Sequence, residues 1–103
     1  MENWLISVHS DGTEEFVSNQ NPNLSETVKI RLRMYENIPV KQVLLLSFPN
    51  GTEKYTEMEL IKTERGLAWY EAKLKITENR MAYQFLLVFD NIIYYYTQRG
   101  ITT

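Results

Sequence analysis

The chain has 103 residues, a formal net charge of −2 and no cysteine. This length suffices for one hydrophobic core and is too short for two. The lack of cysteine excludes disulfide bonds and thiolate metal sites, and 11 basic and 13 acidic side chains scattered along the sequence leave no basic stripe for a nucleic acid.

Apolar residues recur with a period of two, and turn signals recur about every 8 to 12 residues, which is typical of an all-β sandwich. The first strand is predicted from Trp4 to His9, and a short second one from Glu15 to Ser18. A polar loop follows from Asn19 to Ser25. In all, the pattern predicts seven or eight strands.

The segment from Thr27 to Tyr35 alternates without interruption. Successive side chains of a strand point to opposite faces. One face therefore carries only apolar residues, namely Val28, Ile30, Leu32 and Met34. The other face carries Lys29, Arg31, Arg33 and Tyr35. The pattern predicts a half-buried strand with one wet face.

The next strand is predicted from Lys41 to Phe48, with a continuous apolar centre. Pro49 to Thr52 predicts a hairpin, because Asn-Gly tolerates the positive φ that tight type I′ turns require. Glu53 to Thr63 is expected to return as a strand, with a helical turn from Met58 to Glu64 as the alternative.

After a turn at Glu64-Arg65-Gly66, a strand is predicted from Leu67 to Thr77. Its apolar face consists of Tyr70, Ala72, Leu74 and Ile76. Trp69 lies on the opposite face, together with charged residues. An indole in such a place either packs against lysine stems or is exposed to a ligand, for example a flat sugar ring.

The last predicted pair of strands starts at Arg80 and is joined at Asp90-Asn91. Its first strand is apolar on both faces, so both faces are expected to be covered. The two faces carry Met81, Tyr83, Phe85, Leu87 and Phe89, and Ala82, Leu86 and Val88. In the second strand, Ile92, Tyr94 and Tyr96 face opposite to Ile93 and Tyr95, so a tyrosine ladder is expected on whichever face is not core. Tyrosine suits a half-wet surface, because it combines an apolar ring with a polar tip.

The N-terminal residues MENWLISVHSDGTEE lack the basic and apolar regions of a secretory signal. No stretch approaches the roughly 20 apolar residues that span a bilayer. We therefore expect a cytoplasmic protein that does not bind membranes.

Catalysis by this chain is not expected. Glycoside hydrolysis needs two carboxylates about 5 to 10 Å apart across a cleft, and the sequence pairs no two of them. His9 is the single histidine, and no Gly-x-Ser-x-Gly element surrounds a serine. No cofactor or metal is predicted; Asp11, Asn19 and Asn21 could supply calcium ligands, but they lack EF-hand spacing.

Six stretches of the chain share their order and spacing with a known family. They are Ile6–His9, Lys29–Arg33, Val43–Leu46, Trp69–Ala72, Arg80–Leu87 and Tyr94–Gly100. In this order they resemble the N-terminal β-sandwich domain of neopullulanases, cyclomaltodextrinases and maltogenic amylases. These enzymes belong to the α-amylase family, and the domain is classed as a starch-binding module of carbohydrate-binding family 34.

The resemblance implies an immunoglobulin-like antiparallel β-sandwich of seven to eight strands. It implies that residues 1–103 are a single domain, cut from the N-terminus of an intracellular glycoside hydrolase whose catalytic (β/α)₈ barrel follows. The chain alone would not be an enzyme. The implied partners are α-glucans (maltooligosaccharides, cyclodextrin, pullulan), the catalytic barrel of the same polypeptide, and a second copy in a homodimer.

Two functions are compatible with this resemblance. The first is α-glucan binding, with five candidate residues that stack on sugars: Trp69, Tyr35, Tyr94, Tyr96 and Trp4. The second is pure docking, in which the second apolar face of the Lys41 and Arg80 strands contacts a barrel domain or a second subunit. Sugar binding predicts two or more exposed rings in a flat platform, whereas docking predicts a wide aliphatic patch rimmed by charges. An unrelated immunoglobulin-like adhesion domain fits less well, because the Cys…Trp…Cys pattern is absent.

Overall fold

The computed structural model describes residues 3–78, 82–97 and 99–103. In this part of the chain eight strands form two antiparallel sheets. The strands are β1 (Thr27–Tyr35), β2 (Gln42–Ser47), β3 (Lys54–Glu57), β4 (Glu59–Glu64), β5 (Leu67–Lys75), β6 (Tyr83–Val88), β7 (Ile93–Thr97) and β8 (Gly100–Thr102). One sheet has the order β1-β5-β4 and the other the order β3-β2-β6-β7-β8. The predicted all-β sandwich is therefore confirmed.

The core lies between the two sheets and follows the alternation of the sequence. The apolar face of β1 supplies four side chains that are at most 2% exposed, namely Val28, Ile30, Leu32 and Met34. They belong to one cluster with Val43 and Leu45 of β2 and with Phe85 and Leu87 of β6. The predicted strand from Thr27 to Tyr35 is thus confirmed, together with the face that it buries.

The N-terminal segment differs from the prediction. Asn3–Ser7 forms a 3₁₀ helix instead of a strand. The Ser7 hydroxyl donates a hydrogen bond to the Trp4 carbonyl at 2.6 Å and accepts one from the Tyr35 N–H at 2.9 Å. This local bonding favours a coiled backbone over an extended one. His9 forms an isolated bridge with Arg33 of β1. The predicted strand from Glu15 to Ser18 is also reduced to one isolated bridge, between Val17 and Ile30 of β1.

The predicted strand from Glu53 to Thr63 is divided between the two sheets. β3 pairs with β2 and β4 pairs with β5. Between them Met58 is 4% exposed, and its N–H donates to the Val43 carbonyl at 2.8 Å. The chain passes from the five-stranded to the three-stranded sheet at Met58, because this side chain is buried in the core between the two sheets. The alternative of a helical turn from Met58 to Glu64 is wrong.

Both predicted tight turns are present. Asn50 and Gly51 have φ values of 55° and 79° between β2 and β3. Arg65 and Gly66 have φ values of 55° and 81° and form the two-residue connection between β4 and β5. Two successive positive φ values match the right-handed twist of the flanking strands.

The C-terminal hairpin also forms, with the Phe89 N–H donating to the Ile92 carbonyl at 2.9 Å. Tyr94 and Tyr96 are opposite Leu87 and Phe85 in the register, and they pack against the core. Of the three tyrosines only Tyr95 lies on the other face, opposite Leu86, so the ladder expected on whichever face is not core is reduced to one ring. The reason is that β7 extends the five-stranded sheet and shares the inward face of β6.

β8 was not predicted as a strand; it pairs with β7. The predicted positions Asn79, Arg80, Met81 and Gln98 lie outside the described residues. Among the residues that are described, no helix has the length and apolarity that crossing a membrane requires.

Candidate functional site

Trp69 lies on the outer face of the three-stranded sheet, opposite Arg33 in the register. It is 6% exposed, because the Phe16 ring stacks on it with centroids 5.3 Å apart and planes inclined by 21°. The Lys62 Nζ lies 5.0 Å from the indole centroid. Of the two sequence alternatives the structure therefore shows the packed one, and the ring is not open to a sugar in this conformation.

Trp4 and Tyr94 belong to a cluster of three rings together with Phe89. The Trp4 centroid lies 5.2 Å from Phe89 and 5.2 Å from Tyr94. All three side chains are half-buried and pack against the core. They contact one another rather than forming a flat platform.

The other two candidates lie apart from each other. Tyr35 is 44% exposed at the end of β1, on the outer face of the three-stranded sheet. Tyr96 is on the five-stranded sheet, with its ring 6.0 Å from that of Phe85. The five predicted sugar-binding residues are thus distributed over several surfaces, and only Trp4 and Tyr94 are in ring contact.

Tyr96 lines an open cleft of about 870 Å³ at one end of the sandwich. Residues Ser10 to Gly12 form one wall, and the start of β6, the end of β7 and the start of β8 form the other; we call it the β6–β8 cleft. The Tyr96 hydroxyl donates to the Ser10 carbonyl at 3.4 Å. The aromatic wall consists of Tyr83, Phe85 and Tyr96, and the polar residues include Asp11, Gln84, Thr97 and Arg99.

Asp11 supplies a fixed negative charge to this cleft. Its Oδ1 accepts hydrogen bonds from the Thr13 hydroxyl at 2.6 Å and the Thr13 N–H at 2.9 Å, and its Oδ2 lies 3.0 Å from His9 Nε2. These bonds, those to Thr13 foremost, lower the pKa of Asp11 to about 2. Burial raises the pKa of Tyr83, and the Asp11 charge adds to this effect. At neutral pH the cleft therefore holds a carboxylate near a protonated phenol.

Thr13→Ala is expected to raise the pKa of Asp11 from about 2 toward its ordinary value of 3.8, because the Thr13 hydroxyl is the largest cause of the shift. A folded-state pKa below the unfolded one stabilises the fold above pH 3.8, and this contribution is lost as the pH falls through about 2. An NMR titration of the Asp11 carboxyl measures the pKa. Thr63→Ala, on β4, is the control and is expected to leave the pKa of Asp11 unchanged. An unchanged pKa of Asp11 in Thr13→Ala would contradict the hydrogen bond from the Thr13 hydroxyl to Asp11.

The outer face of the five-stranded sheet is mostly apolar, with Gln42 and Gln84 as its polar residues on β2 and β6. Its aliphatic residues and the adjoining tyrosines form what we call the outer apolar face: Leu44, Leu46, Leu86, Val88, Ile93, Tyr55 and Tyr95. Leu46 and Leu86 are each 4% exposed although they lie outside the core cluster. In the register, Tyr55 is opposite Leu46 and Tyr95 is opposite Leu86, so each tyrosine is the cross-strand neighbour of a buried leucine.

The rim of this face is charged. Lys41 Nζ lies 3.5 Å from Asp90 Oδ1 at one end, and Glu57 is opposite Leu44 on β3. Glu53 is the main cause of a raised pKa of Tyr55, with burial and Tyr95 contributing. Ile93 is 40% exposed within the face. The second apolar face that the sequence predicted for the Lys41 and Arg80 strands is therefore confirmed.

Sequence reasoning did not bring together the residues of the β6–β8 cleft. Ser10 and Tyr96 are 86 positions apart, and no spacing or motif connects them. Tyr55 was not predicted as part of this face, and Tyr95 was placed only on the face opposite Tyr94 and Tyr96. Their position on the outer apolar face follows from the order of the strands in the sheet.

Comparisons with known proteins agree with this fold. A family model described as the N-terminal Ig-like domain of α-amylase matches residues 9–103. Among solved structures, a cyclomaltodextrinase is similar with a TM-score of 0.80 at 20% sequence identity. The similarity covers 97% of this chain and 17% of that one, so the chain spans a small part of the length of the cyclomaltodextrinase. A search among curated proteins finds no match.

Proposed function

Because the chain belongs to the family of N-terminal Ig-like domains of α-amylases, we propose that it is a non-catalytic accessory domain of a glycoside hydrolase that acts on α-glucans. In support, the similarity covers 17% of the cyclomaltodextrinase chain, which leaves most of such an enzyme outside this domain. The single histidine of the chain, His9, hydrogen-bonds to the Asp11 carboxylate. Among the described residues no hydrogen bond joins it to a serine hydroxyl, the contact that activates a serine nucleophile.

The accessory role that the geometry supports best is docking onto the catalytic domain of the same polypeptide. The observation that carries it is the outer apolar face, which is aliphatic at its centre and charged at its rim, as docking surfaces are. β8, the last strand, lies at the edge of the same sheet beside β7. In the register of this edge, Thr102 of β8 is opposite Tyr95 of the outer apolar face.

A second candidate function is binding of α-glucans such as maltooligosaccharides, cyclodextrin or pullulan. The name of the structurally similar cyclomaltodextrinase points to a cyclic α-glucan. Tyr96, one of the five predicted sugar-binding residues, lines an open cleft. Both functions can operate in one enzyme, because the cleft is at the end of the sandwich and the outer apolar face is on its side.

Ile93→Asp is expected to weaken binding of this domain to the separately produced catalytic domain at least tenfold, because it places a charge in an apolar contact. Isothermal titration calorimetry measures the affinity. Ile61→Asp is the matched control: Ile61 is 39% exposed, against 40% for Ile93, but it lies on β4 of the other sheet. The control is expected to bind like the unmodified domain.

Three results would count against docking at this face. They are the absence of any complex, an equal loss in both variants, and no loss in either. Self-association of the domain alone that Ile93→Asp abolishes would assign the outer apolar face to a second copy instead, as a homodimer interface. Analytical ultracentrifugation of the unmixed domain distinguishes that outcome, and circular dichroism verifies that both variants are folded.

A further inference from the structure

We infer that the β6–β8 cleft is an α-glucan subsite, in which Tyr83 and Tyr96 contact the sugar rings and Asp11 and Arg99 hydrogen-bond to their hydroxyls. This inference rests on the second candidate function above, and it names the place and the residues of that binding. Of the five sugar-binding residues predicted from the sequence, only Tyr96 belongs to this subsite.

The shape of the cleft supports a ligand of oligosaccharide size. Its volume of about 870 Å³ lies within the range of about 300–1,000 Å³ that small-molecule sites occupy. Both walls are held by contacts between residues far apart in sequence. The Ser10 N–H and carbonyl lie 3.5 and 3.4 Å from the Tyr96 hydroxyl, and the Ser10 hydroxyl donates to the Arg31 carbonyl at 2.6 Å. The cleft is therefore already formed without a ligand.

The aromatic wall suits a sugar ring, which has apolar C–H faces and hydroxyl edges. Tyr83 lies edge-on to Phe85 at 5.7 Å, and Phe85 lies 6.0 Å from Tyr96. These contacts fix the rings in place, so little side-chain freedom is lost when a ligand stacks on them. Both tyrosines combine an apolar ring with a hydroxyl that can donate or accept a hydrogen bond.

The polar groups of the cleft complement hydroxyls. The Asp11 carboxylate, oriented by Thr13 and His9, only accepts hydrogen bonds. Arg99 only donates them, and within the described part of the chain its guanidinium has no ion-pair partner. A sugar hydroxyl does both, and hydrogen bonds to charged groups are the stronger ones.

The balance of charge indicates a neutral ligand. One carboxylate and one guanidinium line the cleft. Their charges cancel, so the cleft has no net charge that would favour an anion or a cation. Neutral polyhydroxyl compounds fit this balance better than phosphorylated or acidic sugars. The proposed function, an accessory domain of an enzyme that acts on α-glucans, narrows this neutral class to α-linked glucans.

The test is an NMR titration of the 103-residue chain with maltohexaose, with cellohexaose as the β-linked comparison. We expect saturable shifts of the amides of residues 10–12, 83–85, 96, 97, 99 and 100, and none of that size with cellohexaose. Arg99→Ala is expected to weaken binding about tenfold, the loss of one charge-assisted hydrogen bond. Arg65→Ala is the control, since Arg65 is an exposed arginine of the β4–β5 turn that does not line the cleft.

The outcomes separate this inference from the function on which it rests. Saturable shifts elsewhere on the domain, an affinity unchanged in Arg99→Ala, or equal binding of cellohexaose would overturn the β6–β8 cleft as the α-glucan subsite and leave glucan binding itself open to another surface. No shifts at all with millimolar maltohexaose would overturn both glucan binding and the subsite. The docking role of the outer apolar face would stand in either case.

Discussion

Replacing Leu45 with alanine is expected to lower the free energy of unfolding by about 2 to 5 kcal/mol. Leu45 is 0% exposed on the inward face of β2, directly opposite Phe85 of β6, and it belongs to the core cluster. Alanine would remove buried methyl groups and leave a cavity between the two sheets, which a close-packed interior fills only in part. Urea denaturation followed by circular dichroism measures the loss.

Leu44→Ala is the matched control for this prediction. Leu44 is the adjacent residue on the same strand, but it points to the outer apolar face and is half-buried. We expect a cost of about 1 kcal/mol, because only part of a leucine side chain leaves an apolar environment. Equal losses for the two variants would contradict the inward and outward assignment of β2.

Phe16→Ala is expected to cost about 3 to 5 kcal/mol and to expose the indole of Trp69. Phe16 is 3% exposed, stacks on Trp69, and has the His9 ring edge-on at 5.0 Å. Removing its ring uncovers the outer face of the three-stranded sheet without opening the core between the sheets. In a Trp4→Phe background, which leaves one tryptophan, the emission of Trp69 should shift to the red.

Phe16→Leu tests the same contact with a smaller change. A leucine still covers part of the indole, so the loss of stability and the red shift should both lie between those of the unmodified chain and of Phe16→Ala. If Phe16→Ala left the Trp69 emission unchanged, the stacking of Phe16 on Trp69 would be refuted. Trp69 would then be available for the sugar contact that its position on a polar face suggested.

The strands that were predicted correctly are those whose own sequence pattern shows which side chains are buried. β1 alternates over its whole length, and β2 and β6 carry apolar residues on both faces, so the core and the outer apolar face could both be expected. The turns at Asn50-Gly51 and Arg65-Gly66 follow from residues that accept positive φ. The order of short motifs also indicated the α-amylase N-terminal family, which the match of residues 9–103 establishes.

The sequence predictions were wrong where the structure depends on contacts between residues that are far apart in the sequence. Ser7 coils the N-terminal segment by binding Tyr35, and Met58 divides one predicted strand between two sheets. The sequence could not exclude an exposed Trp69, since its cover comes from Phe16 on a separate segment. Nor could it show that Tyr94 and Tyr96 face inward, because that depends on how β7 joins β6.

By itself, the sequence determined the all-β class, most strands and which residues share a face, because alternation is a property of the extended backbone of each strand. Only the tertiary structure decided which of those faces are covered and where a cleft opens. Covering a face requires side chains from elsewhere in the chain, as Phe16 does for Trp69. The β6–β8 cleft likewise exists only because Ser10 and Tyr96, 86 positions apart, meet at one end of the sandwich.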